Sequence, residues 1–188
     1  MAAWSVAELV IVAALTAACA GLAAPRGAGA MDALRVQGAT RAVASALEQA
    51  RLRAVLRGRA VALRVESTPG GVTLRMYEDG NANGVLSRDI ASGVDVPVDA
   101  GICVEQQWPG TALAVWPGVA SPDGGSAVAV ATLVDGQLLS FSPVGTATST
   151  TVYVRGRGPR QMAARVYGDT GRIRWLTYLF GGRMWTLD

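Results

Sequence analysis

Three groups of residues in this chain have the types and spacing to do chemistry. The first is Glu8, within MAAWSVAELVIVAALTAACAGLAAP, where Thr16 is the one polar side chain from Leu9 to Ala24. A carboxylate in such a run costs at least about 2.5–3.5 kcal/mol to place in a membrane, so it calls for a partner or a task. The second is Asp79-Gly80-Asn81-Ala82-Asn83-Gly84, which matches the first six positions of a calcium loop. Ile90 stands where the closing bidentate Glu belongs, so the Asn-Gly steps are expected to serve as turns and no metal ligand is assigned. The third is Gly171-Arg172-Ile173-Arg174. In a strand its two guanidiniums project on one face, spaced to bridge neighbouring phosphates with salt-sensitive, sequence-independent contacts.

Other chemistry is excluded by composition. All 17 basic residues are Arg, with no Lys and no His, and the net charge is +3. Without His or Lys the chain cannot build a Ser-His-Asp, Cys-His or Ser-Lys nucleophile, or a histidine metal site. No catalytic residue and no cofactor is assigned, and the expectation is a protein that is not an enzyme. Cys19 in the apolar run and Cys103 in the body are read as free, small apolar residues.

These groups need elements to hold them. As a helix, Trp4 to Ala24 would reach roughly 30 Å, enough to cross a hydrocarbon core. A cleaved signal peptide, with its cut near Ala18-Cys19-Ala20, is the rival reading; the segment lacks the basic start and polar end such peptides carry. The basic residues Arg26, Arg35 and Arg41 follow the apolar run, which by the positive-inside rule alone would point the body inward.

From Ala33 to Arg57 the sequence is rich in helix formers. Val36, Val43, Leu47, Ala50 and Ala54 fall on one stripe expected to face a sheet, and Arg41, Glu48, Arg51, Arg53 and Arg57 on a solvated face. Gly58 reads as the C-cap. Alternating runs predict strands at 60–66, 71–77, 102–106, 112–116, 127–133, 137–141, 150–155, 162–167 and 172–178. The aromatic tail Trp175, Tyr178, Phe180 and Trp185 is expected to pack in the core or against a neighbouring subunit.

Trp4-Ser5-Val6-Ala7-Glu8-Leu9 resembles the start of a mature type IV pilin or type II secretion pseudopilin, an aromatic residue followed four positions later by Glu. Pro25 falls where those helices commonly carry a proline. LEQARLRAVLRGRAVALRVE, YEDGNANG, FSPVGTATSTTVYV and ARVYGDTGRIRW narrow the resemblance to GspH/FimT-type minor pseudopilins. It implies an α+β, pilin-like fold: a long N-terminal helix, membrane anchor plus stalk, packed on an antiparallel β-sheet domain. It further implies a leader at 1–3 cut by prepilin peptidase between Ala3 and Trp4, a transmembrane and assembly helix at 4–25, a stalk at 26–58 and a periplasmic β-rich domain at 59–188. Ala3 stands where the family's leader usually ends in Gly.

On this resemblance Glu8 meets the free N-terminal amine of a neighbouring subunit, and the partners are other pseudopilins or pilins, the peptidase and the bacterial inner membrane. GRxR-bearing FimT-like pilins bind DNA during natural transformation, which makes Arg172 and Arg174 the DNA-binding candidates of a second reading. A third is a signal-anchored extracytoplasmic protein of another function.

Overall fold

The computed structural model describes residues 5–124 and 136–187, and for residues 20–26 and 28 the backbone alone. One helix, α1 (Val6–Arg57), runs without a break through the position of Pro25. Its first ten described positions expose Val6, Leu9, Val10, Ile11, Val12 and Leu15. Among the described residues no helix is long and apolar enough to cross a membrane. The run expected to do so begins at Trp4, outside the described residues, and includes positions of which no side chain is described.

From Asp32 onward α1 is the centre of the domain. Val36, Val43, Leu47, Ala50 and Ala54, the stripe expected from spacing, are each at most 1% exposed. Ala39, Ala44 and Ala46 are buried beside them, and these short side chains let the sheets come close to the helix axis. Thr40 is buried too, its hydroxyl bonded to the Val36 carbonyl at 2.8 Å. Gly58 ends the helix in a left-handed conformation at φ 63°, its N–H donating to the Ala54 carbonyl, as a C-capping glycine does.

Two antiparallel sheets pack on this stripe. The first joins β1 (Val61–Thr68), β2 (Gly71–Glu78), β3 (Val96–Pro97), β4 (Ile102–Cys103) and β5 (Leu138–Phe141). Its order is β3-β2-β1-β5, with β4 also paired to β2. The second is a meander of β6 (Thr150–Arg155), β7 (Gln161–Tyr167), β8 (Arg172–Leu179) and β9 (Met184–Leu187). Val61, Leu63, Val65, Leu74 and Phe141 of the first sheet meet Val152, Val154, Ala164 and Val166 of the second in one core with α1. Ile173 and Trp175 of β8 pack against that core, while Leu176 and Tyr178 are buried on its other face.

Two expected strands take other forms. The 102–106 run forms β4 and then a helical turn, α2′s successor in chain order after the short helix α2 (Ser87–Ser92), here α3 (Val104–Gln107). The reason is Glu105: its carboxylate accepts the Val72 N–H at 3.2 Å and the Leu113 N–H at 3.3 Å, holding α3 on the tip of the β1–β2 hairpin. The hairpin glycines make room, since a Cβ on Gly70 would fall 1.9 Å from the Gln106 amide. The 112–116 run makes a bridge from Ala112 to Arg155 but no strand. Buried Gln161 takes over its main chain, accepting the Trp116 N–H at 2.9 Å and donating to the Ala114 carbonyl at 3.2 Å. The strand expected at 127–133 lies outside the described residues.

The charged face of α1 is less solvated than its pattern implies. Arg53 bonds Glu78 at 2.8 Å, and Arg41 lies over the Trp175 ring, 5.5 Å from its centroid. Cys19 and Cys103 are free, as expected, but Cys19 is exposed.

Leu47 touches both sheets' core and Leu56 faces solvent at 75% exposure. Chemical denaturation of the detergent-extracted full chain will show Leu47→Ala destabilised by about 2–5 kcal/mol. Leu56→Ala will stay within about 0.5 kcal/mol of the parent.

Candidate functional site

Glu8 is the first candidate, and it has a local task. Its carboxylate accepts the Ser5 N–H at 2.8 Å while the Ser5 hydroxyl accepts the Glu8 N–H at 3.3 Å. The pair is a capping box that satisfies two of the N–H groups a helix start leaves open. The Ser-x-x-Glu spacing signals this box in sequence, yet the apolar surroundings of Glu8 drew the reading elsewhere. Ala3 and Trp4, the expected cleavage pair, lie outside the described residues.

The oxygen-rich turn 79–84 spends its oxygens on main-chain amides. One Asp79 oxygen accepts the N–H groups of Asn81 and Ala82, at 3.0 and 2.9 Å, and the other accepts Gly84 N–H at 2.8 Å. Asp95 closes the loop from the far side, accepting Gly80 N–H at 3.0 Å and Leu86 N–H at 2.9 Å. Gly84 at φ 89° and Ala82 at φ 64° supply the left-handed steps that wrap the chain round Asp79. Among the described residues no group of three metal-ligating side chains converges.

Asp89 tethers the turn by its side chains. The amides of Asn83 and Asn81 donate to it at 2.9 and 3.2 Å. The Asn83 bond is the main cause that holds the Asp89 carboxyl below the ordinary carboxylate range. A carboxyl depressed on folding adds stability above its unfolded pKa and loses it as pH falls through the lower folded value.

Arg172 and Arg174 share one face of β8, as their spacing requires, and line a shallow pocket with Glu48 of α1. The register brings two more residues beside them, Arg165 opposite Arg174 and Tyr167 opposite Arg172. Arg165 pairs with Asp123 and lies over the Tyr167 ring, 4.9 Å from its centroid. Neither Arg172 nor Arg174 has an ion pair among the described residues. Both line a shallow groove with Tyr167, Asp169 and Thr170. Gly171 starts the strand at φ 59°, where a Cβ would lie 2.3 Å from the Gly145 carbonyl, so the glycine of the motif is required by the turn. β9 pairs only with Leu176 to Leu179, which leaves the arginine half of β8 at an edge among the described residues.

The aromatic tail offers no stacking platform. Tyr178 packs edge-on against Trp185 and Phe180, with centroids 5.2 and 5.0 Å away. Trp185 donates its indole N–H to the Ala120 carbonyl at 2.7 Å. Tyr153, beside Trp185, is buried enough that desolvation raises its pKa above the ordinary tyrosine value.

Amide hydrogen exchange at Asn81 to Gly84 reports the Asp89 tether. Protection will be constant above about pH 4 and fall below it in the parent chain, while Asp89→Asn will lower it at neutral pH and flatten that acid limb.

A 52-residue helix carrying an antiparallel β domain, with an acid near the helix start, is the architecture the sequence resemblance implies. The family model described as type II transport protein GspH matches residues 39–171, from the buried stripe of α1 to the glycine before Arg172. Among curated proteins and solved structures there is no match. With α1 from Ala39, the first sheet, β6, β7 and the oxygen-rich turn inside the matched region, the chain belongs to the GspH family of pseudopilins.

Proposed function

We propose that the chain is a minor pseudopilin of a type II secretion or type IV pilus-like filament. In this reading prepilin peptidase cuts between Ala3 and Trp4, the N-terminal helix sits in the bacterial inner membrane, and the β domain lies in the periplasm. The subunit then joins a filament of other pseudopilins, where the Glu8 carboxylate meets the N-terminal amine of a neighbour. The observation that carries the reading is the family match together with the start of α1, where Val6, Leu9, Val10, Ile11, Val12 and Leu15 are exposed round the helix. A helix apolar all round belongs in a membrane or inside an assembly. Leaving the capping box for a charged amine would exchange a neutral donor for a cationic one, which strengthens the hydrogen bond.

The test is the N-terminal residue of the membrane-extracted protein. A chain beginning at Trp4 when the host's prepilin peptidase is present, and at Met1 when it is deleted, is the expected result. Retention of Met1 in both hosts would remove the processing step from the account.

A second reading, a DNA-binding minor pilin, is favoured by two arginines on one strand face with no ion pair among the described residues. Such binding would depend on phosphate contacts and weaken steeply with salt. Replacing both Arg172 and Arg174 by Ala will lower the slope of log affinity against log salt by about two, one for each lost phosphate contact. An unchanged slope in the double variant would reject this face as the DNA site.

A further inference from the structure

On one side β8 is paired along only part of its length. β7 pairs with it from Arg172 to Thr177, whereas β9 reaches from Leu179 back to Leu176 and no further among the described residues. The Thr177 and Leu179 carbonyls point to the β9 side, accepting the Thr186 hydroxyl at 3.1 Å and the Gly182 N–H at 3.2 Å. Main-chain groups alternate sides along a strand, so the N–H and carbonyl of Ile173 point the same way, beyond that ladder. Among the described residues no strand meets them. An open edge of this kind is a template for another strand.

Two shallow grooves flank the edge. Toward α1, Glu48, Ile173 and Trp175 line about 370 Å³. On the face of Arg172 and Arg174, Tyr167, Asp169 and Thr170 line about 450 Å³ with them. Glu48 is the one α1 residue in the first groove. Arg41 is taken up by the Trp175 ring, and Arg51 lies beside Gly171, before the edge begins.

These side chains define which strand would fit. A residue directly opposite another on a neighbouring strand carries its side chain on the same face. Opposite Arg172 and Arg174, acidic residues meet unpaired guanidiniums. Opposite Ile173, an apolar residue packs on half-buried Ile173 and Trp175, while an acid there would face Glu48. A second copy of the same edge is rejected, because antiparallel pairing centred on Ile173 sets Arg172 against Arg174, and like charges directly opposite destabilise a sheet. A nucleic acid can meet the guanidiniums but cannot continue a main-chain ladder.

We propose that the Arg172–Arg174 edge of β8 receives, as an added strand, an extended segment of a different protein in which two acidic residues flank an apolar one. Main-chain bonds at Ile173 hold the segment, and the two arginines with Glu48 select its sequence by attraction on one face and repulsion on the other. The inference goes beyond both readings above and depends on neither.

Two fluorescent peptides of equal composition and charge test it on the detergent-extracted full chain. One has Thr-Asp-Val-Asp-Thr at its centre, the other Thr-Val-Asp-Asp-Thr. The first is expected to bind about fivefold tighter, since the second loses one arginine contact and turns an acid toward Glu48. It will also slow amide exchange at Ile173. Replacing Arg172 and Arg174 together by Ala will remove the preference, and Glu48→Gln will reduce it by tightening the second peptide. All three side chains lie at the surface, and unchanged thermal unfolding will confirm that the variants are folded. Equal affinities for the two peptides in the parent chain, or Ile173 exchange unaltered by the first, would overturn the added strand. Binding of a single-stranded oligonucleotide with no binding of either peptide would assign the arginines to nucleic acid and overturn it as well, as would binding of none of the three.

Discussion

Burial of a single stripe of α1 is the constraint on which the rest of the structure depends. Each sheet turns an apolar face to α1, and neither of these faces can be dried by its own strands. The helix covers both, so Val43, Leu47, Ala50 and Ala54 are in effect the shared core of two sheets that share no ladder among the described residues. Apolar burial stabilises by roughly 25 cal/mol per Å², and here the same helix face contributes to both layers. The sheets consequently stand or fall with the helix, and their outer surfaces are fixed relative to it.

The loops obey a different rule, that a buried main-chain N–H must find an acceptor. Where no strand supplies one, this chain uses acidic or amide side chains. Asp79 and Asp95 wrap the 79–86 turn, Glu105 seats α3 on the first hairpin, and Gln161 holds the 112–116 segment over the second sheet. Asp32 is the long-range case, joining α1 to a turn more than a hundred residues later. The oxygens that make 79–84 resemble an ion site are occupied by the fold itself.

What remains for function lies at the ends and outer faces. The start of α1 leaves the domain bare and apolar, the domain packs on the same helix from Asp32 onward, and Arg172 and Arg174 sit at a sheet edge. Because one stiff helix links the first two, moving the N-terminus moves the whole domain.

The sequence by itself determined the elements whose residues choose their own conformation. The stripe on α1, its Gly58 cap, the β1–β2 and β6–β7–β8 ladders and the shared face of Arg172 and Arg174 follow from periods of 3.6 and 2, which are properties of the local backbone. It also determined the family, through Glu8 and the turn and strand segments. Tertiary structure decided whatever depended on a partner far along the chain. Ala112 to Trp116 has the alternation of a strand but meets the Gln161 amide, Ile102 to Gln106 bends because Glu105 finds Val72 and Leu113, and Arg165 pairs with Asp123 while Arg172 and Arg174 have no ion pair among the described residues.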